Sequence, residues 1–284
     1  MRALIVHYHL KPGGVTTVIR RQLSALALAG IDAAVLSGEA APGFGGTVSV
    51  EPALGYDPPG TGADSRSGPD DEPDPGRVAA ISAAIRLEAD ALGTDTVIHV
   101  HNPTIRKNAS LLAALSELAA AGRRIVAHVH DLAEDWRPDV YSRQPYPDGL
   151  SWAVINRFDA GALRAAGAGS VAFLPNPVPC PPARQVARKR PRDEAALVLC
   201  PVRGIRRKNL GETVLLSLFM RPGGRVGVTL PPVNPKDIPY YDAWRETAER
   251  LGAPVAFGLG PDHSLDALYA RTLAVLTTSI KEGF

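Results

Sequence analysis

The chain has 284 residues, of which 45% are hydrophobic and 21% are charged, and its formal net charge is +2. This length suits two domains, and the composition is that of a globular protein with a well-filled core. The balanced charge, with a pI near 8.6, does not by itself indicate a nucleic-acid partner. No apolar run approaches the ~18 residues of a membrane span. Cys180 and Cys200 lack metal-binding spacing, which favours a reducing, cytoplasmic environment.

The first half of the chain alternates short apolar runs with segments of helical periodicity. Residues 3–8 predict a strand, and after the turn at 11–14 the apolar spacing predicts a helix that ends at Gly30. The same alternation predicts strands at 33–36, 97–100, 124–129, 152–155 and 170–174, and helices at 77–92, 105–121 and 159–166. The stretch 57–75 is rich in Pro, Gly, Asp and Ser, and therefore predicts a loop.

Proline and basic residues crowd the segment 175–192, which indicates an interdomain linker. The alternation then restarts, with strands predicted at 196–201, 225–230, 254–258 and 273–277, and helices at 210–219, 241–251 and 265–270. Strands that alternate with helices form parallel sheets, so the sequence predicts an α/β fold twice over. We assign 1–178 to a first domain, 179–194 to the linker and 195–284 to a second domain.

Histidines recur where the predicted strands of the first domain end. His9 ends the first strand, His101 follows a second, and His128 and His130 end a third. Ligands bind beyond the carboxyl ends of parallel strands, and alternation places His128 and His130 on one side of their strand. Single histidines are usually structural, and together with Asp131 these could also bind zinc. Because their spacing matches no helical metal site, we expect a substrate-binding role and no metal.

Two segments offer groups that bind phosphate. Gly13 and Gly14 open the first helix, where backbone amides can approach an anion, although a plain tight turn explains them equally well. A basic cluster follows the first strand of the second domain and consists of Arg203, Arg206, Arg207 and Lys208. At a strand-to-helix junction, such a cluster favours diphosphate binding over a solvated turn. The chain has no basic stripe interleaved with aromatics, so we expect no nucleic-acid partner.

Three further features bear on the substrate. The irregular stretch 132–149, which contains Arg137, predicts a binding loop, with a poorly ordered surface loop as the alternative. Glu282 follows the last predicted strand, where a carboxylate could accept hydrogen bonds from sugar hydroxyls. The basic pair Arg20-Arg21 on the first helix leaves peripheral contact with the inner membrane face open.

In their order and spacing, these segments resemble glycosyltransferase family 4. The resemblance rests on Gly13-Gly14-Val15, His130-Asp131, Leu174-Pro175-Asn176-Pro177-Val178, Arg203 with Arg207-Lys208-Asn209, and Ser279-Ile280-Lys281-Glu282-Gly283-Phe284. It spans nearly the whole chain and implies a GT-B-like α/β fold, in which two Rossmann-like domains have parallel sheets facing a cleft. It also implies transfer of a sugar from a nucleotide-diphosphate sugar, with retention of configuration and without a metal or other cofactor.

The resemblance implies a role for each matching residue. Gly14 would lie near the donor phosphate and the acceptor, and His130 would contact the donor sugar. Arg203 and Lys208 would hold the diphosphate and stabilise the charge of the leaving group. Glu282 matches the first glutamate of the family's E-x7-E motif and would contact the transferred sugar. Candidates for the acceptor side are His9, Gly13, His101 and Arg137. The acceptor itself, whether a sugar, a lipid-linked group or a small molecule, is not encoded in a motif.

The sequence stops two residues after Glu282, before the second glutamate of that motif. We therefore expect an incomplete second domain that leaves apolar sheet surface uncovered, marginal solubility and weak activity. A non-catalytic remnant or a sugar-nucleotide-binding module of the same fold is the alternative function. A dehydrogenase is disfavoured because the segment 10–15 lacks G-x-G-x-x-G.

Overall fold

The computed structural model describes residues 1–41, 44, 48–57, 72–132, 141–142, 144–178, 196–260 and 263–280. The chain divides into two compact units, Met1–Cys180 and Pro181–Glu282. Each unit is built on a parallel sheet, which confirms the α/β fold predicted from the alternation of elements. Most of the predicted loop at 57–75 and the whole predicted linker at 179–194 lie outside the described residues.

In the described part of the first unit, seven parallel strands form one sheet in the order β3-β2-β1-β4-β5-β6-β7. The strands are Arg2–His7 (β1), Ala33–Ser37 (β2), Val48–Val50 (β3), Thr96–His101 (β4), Arg124–Val129 (β5), Ser151–Val154 (β6) and Val171–Phe173 (β7). The helices are Gly14–Leu28 (α1), Pro75–Leu92 (α2), Leu111–Ala120 (α3) and Arg157–Ala165 (α4). The strand order reverses between β1 and β4, and α/β sheets open a crevice at the carboxyl ends of such a strand pair.

The two faces of this sheet pack against different helices. Val100 belongs to a core that α2 and α3 complete, whereas Ile5 packs with Ile19 of α1 on the opposite face. Side chains alternate between the faces along each strand. His99 and His101 therefore lie on the face that α1 covers.

Helix α3 begins six residues later than the sequence predicts, because tertiary hydrogen bonds hold the preceding turn. The Tyr8 hydroxyl donates to the carbonyl of Ile105 at 3.2 Å, so that carbonyl is engaged outside any helix. The Asn108 side-chain amide donates to the carbonyl of Ala53 at 2.7 Å. A polar turn anchored in this way replaces the first part of the predicted helix at 105–121.

In the described part of the second unit, four parallel strands form a sheet in the order β10-β9-β8-β11. The strands are Leu197–Arg203 (β8), Arg225–Leu230 (β9), Val255–Phe257 (β10) and Thr272–Val275 (β11). The helices are Leu210–Ser217 (α5), Ile238–Leu251 (α6) and Leu265–Arg271 (α7). Tyr241 of α6 packs on one face of the sheet, and Leu268 of α7 packs on the other. No helix in the described residues has the length and apolar character needed to cross a bilayer.

Strand β11 lies at an edge of this sheet and carries exposed apolar side chains. Leu273 is 63% exposed and Val275 is 56% exposed, whereas Val228 of the interior strand β9 is fully buried. The prediction that this domain leaves apolar sheet surface uncovered is therefore confirmed for the residues that the structure describes.

Strand β8 continues past the proline at which the sequence predicts its end. Proline has no N–H for a sheet, so inside a central strand it is expected at an irregularity. The pairing of β8 with β9 shifts register between Cys200 and Arg203, and Pro201 lies in that interval. The strand thus tolerates Pro201 and carries Arg203 to the carboxyl edge of the sheet.

Candidate functional site

Six of the chain's seven histidines gather at the carboxyl ends of β1, β4 and β5. They are His7, His9, His99, His101, His128 and His130. Parallel pairing places His101 of β4 directly beside His128 of β5. All of them except His9 are buried. The structure therefore brings together histidines that the sequence placed only at separate strand ends.

Gln22 of α1 joins these rings into one hydrogen-bonded chain. Its Nε2 donates to His99 Nδ1 at 3.1 Å, and His99 Nε2 in turn donates to His128 Nδ1 at 3.1 Å. On the other side His101 Nε2 donates to Gln22 Oε1 at 3.0 Å, and His130 Nε2 donates to His101 Nδ1 at 2.8 Å. A neutral imidazole has one N–H, so the Gln22 carbonyl sets which nitrogen of His101 is protonated. We call these five residues the histidine network.

Burial keeps the network histidines uncharged. Loss of water, together with a smaller effect of neighbouring imidazoles, lowers the pKa of His99 and of His130 to about 3. Burial likewise lowers the pKa of His128 to about 4 and holds the pKa of His101 well below its ordinary value. These rings therefore remain neutral near pH 7 and act as paired donors and acceptors.

The two ends of the histidine network are held differently. At one end, His128 Nε2 is buried and has no hydrogen bond of good geometry within the described residues. The Leu174 carbonyl is still close enough to oppose the fall in the pKa of His128. At the other end, the Asn176 side chain opposes the fall in the pKa of His130. The backbone amide of His130 also donates to Asn102 Oδ1 at 2.6 Å. Two asparagines therefore interact with His130, Asn176 with its side chain and Asn102 with its backbone.

His9 lies at the exposed margin of the cluster. A hydrogen bond of 2.9 Å joins His9 Nε2 to the Tyr56 hydroxyl, and Lys107 Nζ lies 5.5 Å from the centre of the Tyr56 ring. His9 Nδ1 has no partner in the part of the chain that the structure describes. This nitrogen is a polar atom that a bound molecule could satisfy.

Gly13 and Gly14 lie at the start of α1, as the sequence predicts. Gly13 caps the helix in an extended conformation that any residue can adopt. A Cβ added at Gly14 would meet no atom within 4 Å. Packing therefore does not require glycine at either position, and the space over Gly14 is open to a ligand. Arg20 and Arg21, considered for lipid contact, have partners in this unit: Arg20 lies over the Phe44 ring and Arg21 donates to the Pro177 carbonyl.

The second unit places the basic cluster in a tight turn between β8 and α5. Arg203 ends the strand, and a short 3-10 turn, Arg206–Lys208, follows it. Asn209 then adopts a left-handed conformation, with φ 49°, that redirects the chain into α5. A Cβ at Gly204 would lie 2.2 Å from the Tyr241 ring, so only glycine lets this turn pass α6. Arg203 and Lys208 are both half-buried.

The segment after β11 is bonded directly to this basic turn. The backbone amide of Ile280 donates to the Arg207 carbonyl at 2.9 Å, and the Thr278 hydroxyl donates to the Lys208 carbonyl at 2.9 Å. The Thr213 hydroxyl of α5 lies 2.8 Å from that of Thr278. Two segments that are about 70 residues apart in the sequence are thus adjacent in the fold.

Some candidate residues cannot be placed, and others were not foreseen. Arg137 and Glu282 lie outside the described residues. Gln22 has no local signal, because a polar residue on a surface helix is unremarkable until its strand neighbours are known. His99 could have been found by alternation, since it lies two residues before His101 on the same strand face. Tyr56 could not, because its loop carries no periodic pattern.

Comparison with known proteins identifies relatives of both sequence and fold. Residues 12–168 match the model of Glycosyltransferase Family 4. Mannosylglucosyl-3-phosphoglycerate synthase of Petrotoga mobilis is 25% identical over 318 residues, which cover 99% of this chain. The chain spans 61% of the length of that relative.

Solved structures of other proteins share the fold of this chain. Anabaena HepE in complex with UDP-glucose matches with a TM-score of 0.64 and 16% identity, covering 100% of this chain and 75% of that one. The lipopolysaccharide outer core galactosyltransferase WaaB in its apo form matches with a TM-score of 0.58 and 14% identity, covering 100% and 76%. The two parallel α/β units thus have the fold class of GT-B glycosyltransferases. The family model matches more than half of the sequence, and the chain belongs to glycosyltransferase family 4.

Proposed function

We propose that this protein transfers a sugar from a nucleotide-diphosphate sugar to an acceptor. The observation that carries the proposal is the basic turn, in which Arg203 and Lys208 lie at the carboxyl edge of a parallel sheet. Guanidinium and ammonium groups at such an edge suit the oxygens of a diphosphate. Membership of a glycosyltransferase family supports sugar transfer as the use of that diphosphate.

In this proposal the basic turn acts on the leaving group. Arg203 and Lys208 stabilise the negative charge that the diphosphate gains as the sugar departs, so no metal is needed for that purpose. We further propose retention of configuration, with Glu282 and His130 contacting the transferred sugar. HepE has been solved with UDP-glucose, and the catalytic domain of Arabidopsis thaliana starch synthase IV has been solved with ADP and acarbose. Uridine and adenosine diphosphates are therefore the first probes to test.

The acceptor side is proposed at the carboxyl edge of the first sheet. His9 offers the unpartnered Nδ1 atom, and the open space over Gly14 gives a ligand access to the start of α1. Gly13 and Arg137 are the other residues proposed for this side. His101 is fully buried within the histidine network, so its contribution would be to position His130 through the 2.8 Å hydrogen bond.

Calorimetry with UDP, ADP and GDP tests the diphosphate site directly. Arg203→Ala and Lys208→Ala should each weaken binding by about 10- to 100-fold, since each removes charge-assisted hydrogen bonds. Arg225→Ala is the matched control. Arg225 is an exposed arginine at the amino end of β9, whereas Arg203 lies at the carboxyl end of β8 in the same sheet. The affinity of this variant should stay within about threefold of the parent protein. Diphosphate binding that neither site variant weakens would rule out the proposed roles.

Turnover separates a transferase from a binding module of the same fold. The parent protein should release nucleoside diphosphate from the sugar nucleotide that it binds best, and release should rise when its acceptor is supplied. Tight binding without release under any acceptor would instead favour a non-catalytic module.

A further inference from the structure

Three rings of the histidine network converge on one point inside the first unit. One ring nitrogen from each of His99, His101 and His128 lies within 4.8 Å of the other two, and all three residues are buried. Within this group, His99 Nε2 and His128 Nδ1 are 3.1 Å apart. Two imidazoles bound to one tetrahedral cation at about 2.0–2.1 Å have nitrogens roughly 3.3–3.4 Å apart. His99 and His128 therefore already stand near the spacing of two ligands that share a metal, and His101 lies within 4.8 Å of both.

Gln22 already orients His101 as a metal ligand would be oriented. A coordinating histidine normally donates its other N–H to a carbonyl oxygen. His101 Nε2 donates to Gln22 Oε1, so a cation would bind at Nδ1 in place of the hydrogen bond that Nδ1 accepts from His130 Nε2. His128 Nδ1 accepts from His99 Nε2, and a cation between these two rings would replace that bond. His128 would keep its own proton on the buried Nε2, near the Leu174 carbonyl.

We propose that His99, His101 and His128 form a binding site for a divalent first-row transition cation such as Zn²⁺. Imidazole nitrogens suit Zn²⁺, Ni²⁺, Cu²⁺ and Co²⁺, whereas Mg²⁺ and Ca²⁺ require oxygen ligands. A set of three histidines leaves a fourth coordination position open. On binding, the cation replaces two N–H···N bonds, the one from His99 to His128 and the one from His130 to His101. The displaced protons occupy the second ring nitrogens of His99 and His130. The Gln22 amide, which donates to His99 Nδ1 in the absence of a cation, rotates so that its oxygen accepts from both His99 and His101. The site is in the first unit and takes no part in the diphosphate role proposed for the basic turn.

Metal titration of the chelator-treated protein tests the site without any sugar substrate. We expect ZnCl2 to bind with one equivalent in calorimetry and MgCl2 to show no binding. CoCl2 should give the visible absorption of a four-coordinate, nitrogen-ligated ion. His99→Gln and His128→Gln should each weaken Zn²⁺ binding at least about tenfold, because each removes one ligand. His263→Gln, which removes a histidine of the second unit, should leave the affinity unchanged.

A second readout keeps the test decisive if a buried variant does not fold. In the unaltered protein, ¹H–¹⁵N spectra of the imidazoles should show signals of three buried rings changing together with the first equivalent of Zn²⁺. The site is refuted if Zn²⁺ does not bind, or if only exposed histidines such as His263 respond. Equal affinity in folded His128→Gln and in the parent protein refutes it as well.

Discussion

Gly14 and Gly204 each lie next to a candidate phosphate site, but the reason for having glycine differs between the two positions. A side chain at Gly204 would collide with Tyr241, so this glycine is set by the packing of the turn against α6. A side chain at Gly14 would meet nothing within 4 Å. The fold therefore accounts for the first glycine and leaves the second to be explained by a ligand.

Gly14→Ala should leave folding intact and impair catalysis. Alanine is the better helix former, so the free energy of unfolding should be unchanged or up to about 1 kcal/mol higher. The added methyl group enters the space in which we propose that the substrate lies, so turnover of the sugar nucleotide should fall. Gly204→Ala is the contrasting variant and should destabilise the second unit by about 1–3 kcal/mol. Urea denaturation and a diphosphate-release assay measure the two effects, and full turnover by Gly14→Ala would contradict the proposed role.

At the level of elements, β4 and β5 each combine two kinds of surface. Val100 and Val129 point into the apolar core under α2 and α3, while His101 and His128 point toward α1. Alternation of apolar and polar residues normally marks a strand with one solvated face. Here the polar face is buried, and mutual hydrogen bonds through Gln22 replace water.

The buried histidines predict that the free energy of unfolding of the metal-free protein falls in mild acid. The pKa of His99, His128 and His130 is near 6.5 when the chain is unfolded and about 3 to 4 when it is folded, so the unfolded chain binds more protons between these values. Stability is therefore complete above about pH 6.5 and is lost as the pH falls below it, by up to ~1.4 kcal/mol per pH unit for each such histidine. Urea denaturation in the presence of a chelator, from about pH 7.5 to about pH 5, measures the slope. His99→Gln should make the slope shallower, and a stability independent of pH would contradict the prediction.

At the level of the whole molecule, the exposed edge of the second sheet predicts self-association. An edge strand presents unpaired backbone groups, and β11 adds the exposed side chains of Leu273 and Val275. Light scattering should detect association of the parent protein at high concentration. Val275→Thr keeps the shape and strand preference of valine and should reduce association while changing the free energy of unfolding by less than about 1 kcal/mol.

The matched control for this prediction is Val228→Thr in the same sheet. Val228 is fully buried, so its hydroxyl-bearing replacement should destabilise the protein by about 1–3 kcal/mol. A parent protein that stays monomeric at high concentration, or a Val275→Thr variant that associates equally, would show that this edge is not responsible.

The sequence predicted the strands with most success where an apolar run has clear ends. Strands β5 and β9 have the predicted bounds because polar or turn residues flank them on both sides. The start of α3 and the continuation of β8 through Pro201 were mispredicted, since partners distant in sequence decide both. The strand-end histidines were predictable because parallel strands gather their carboxyl ends at one edge. Their connection through Gln22 was not, because it depends on how α1 lies across β4.

The amide of Gln22 gives the hydrogen bonds among the buried imidazoles one donor-to-acceptor direction. With its carbonyl toward His101 and its amide toward His99, every hydrogen bond of the chain runs in one sense, from His130 to His128. Turning that amide over would require every ring along the chain to exchange its protonated nitrogen, so the two senses are alternative states of the whole assembly. A carboxylate in place of Gln22 accepts on both sides and can support neither sense. The direction of the whole array thus depends on one side chain of α1.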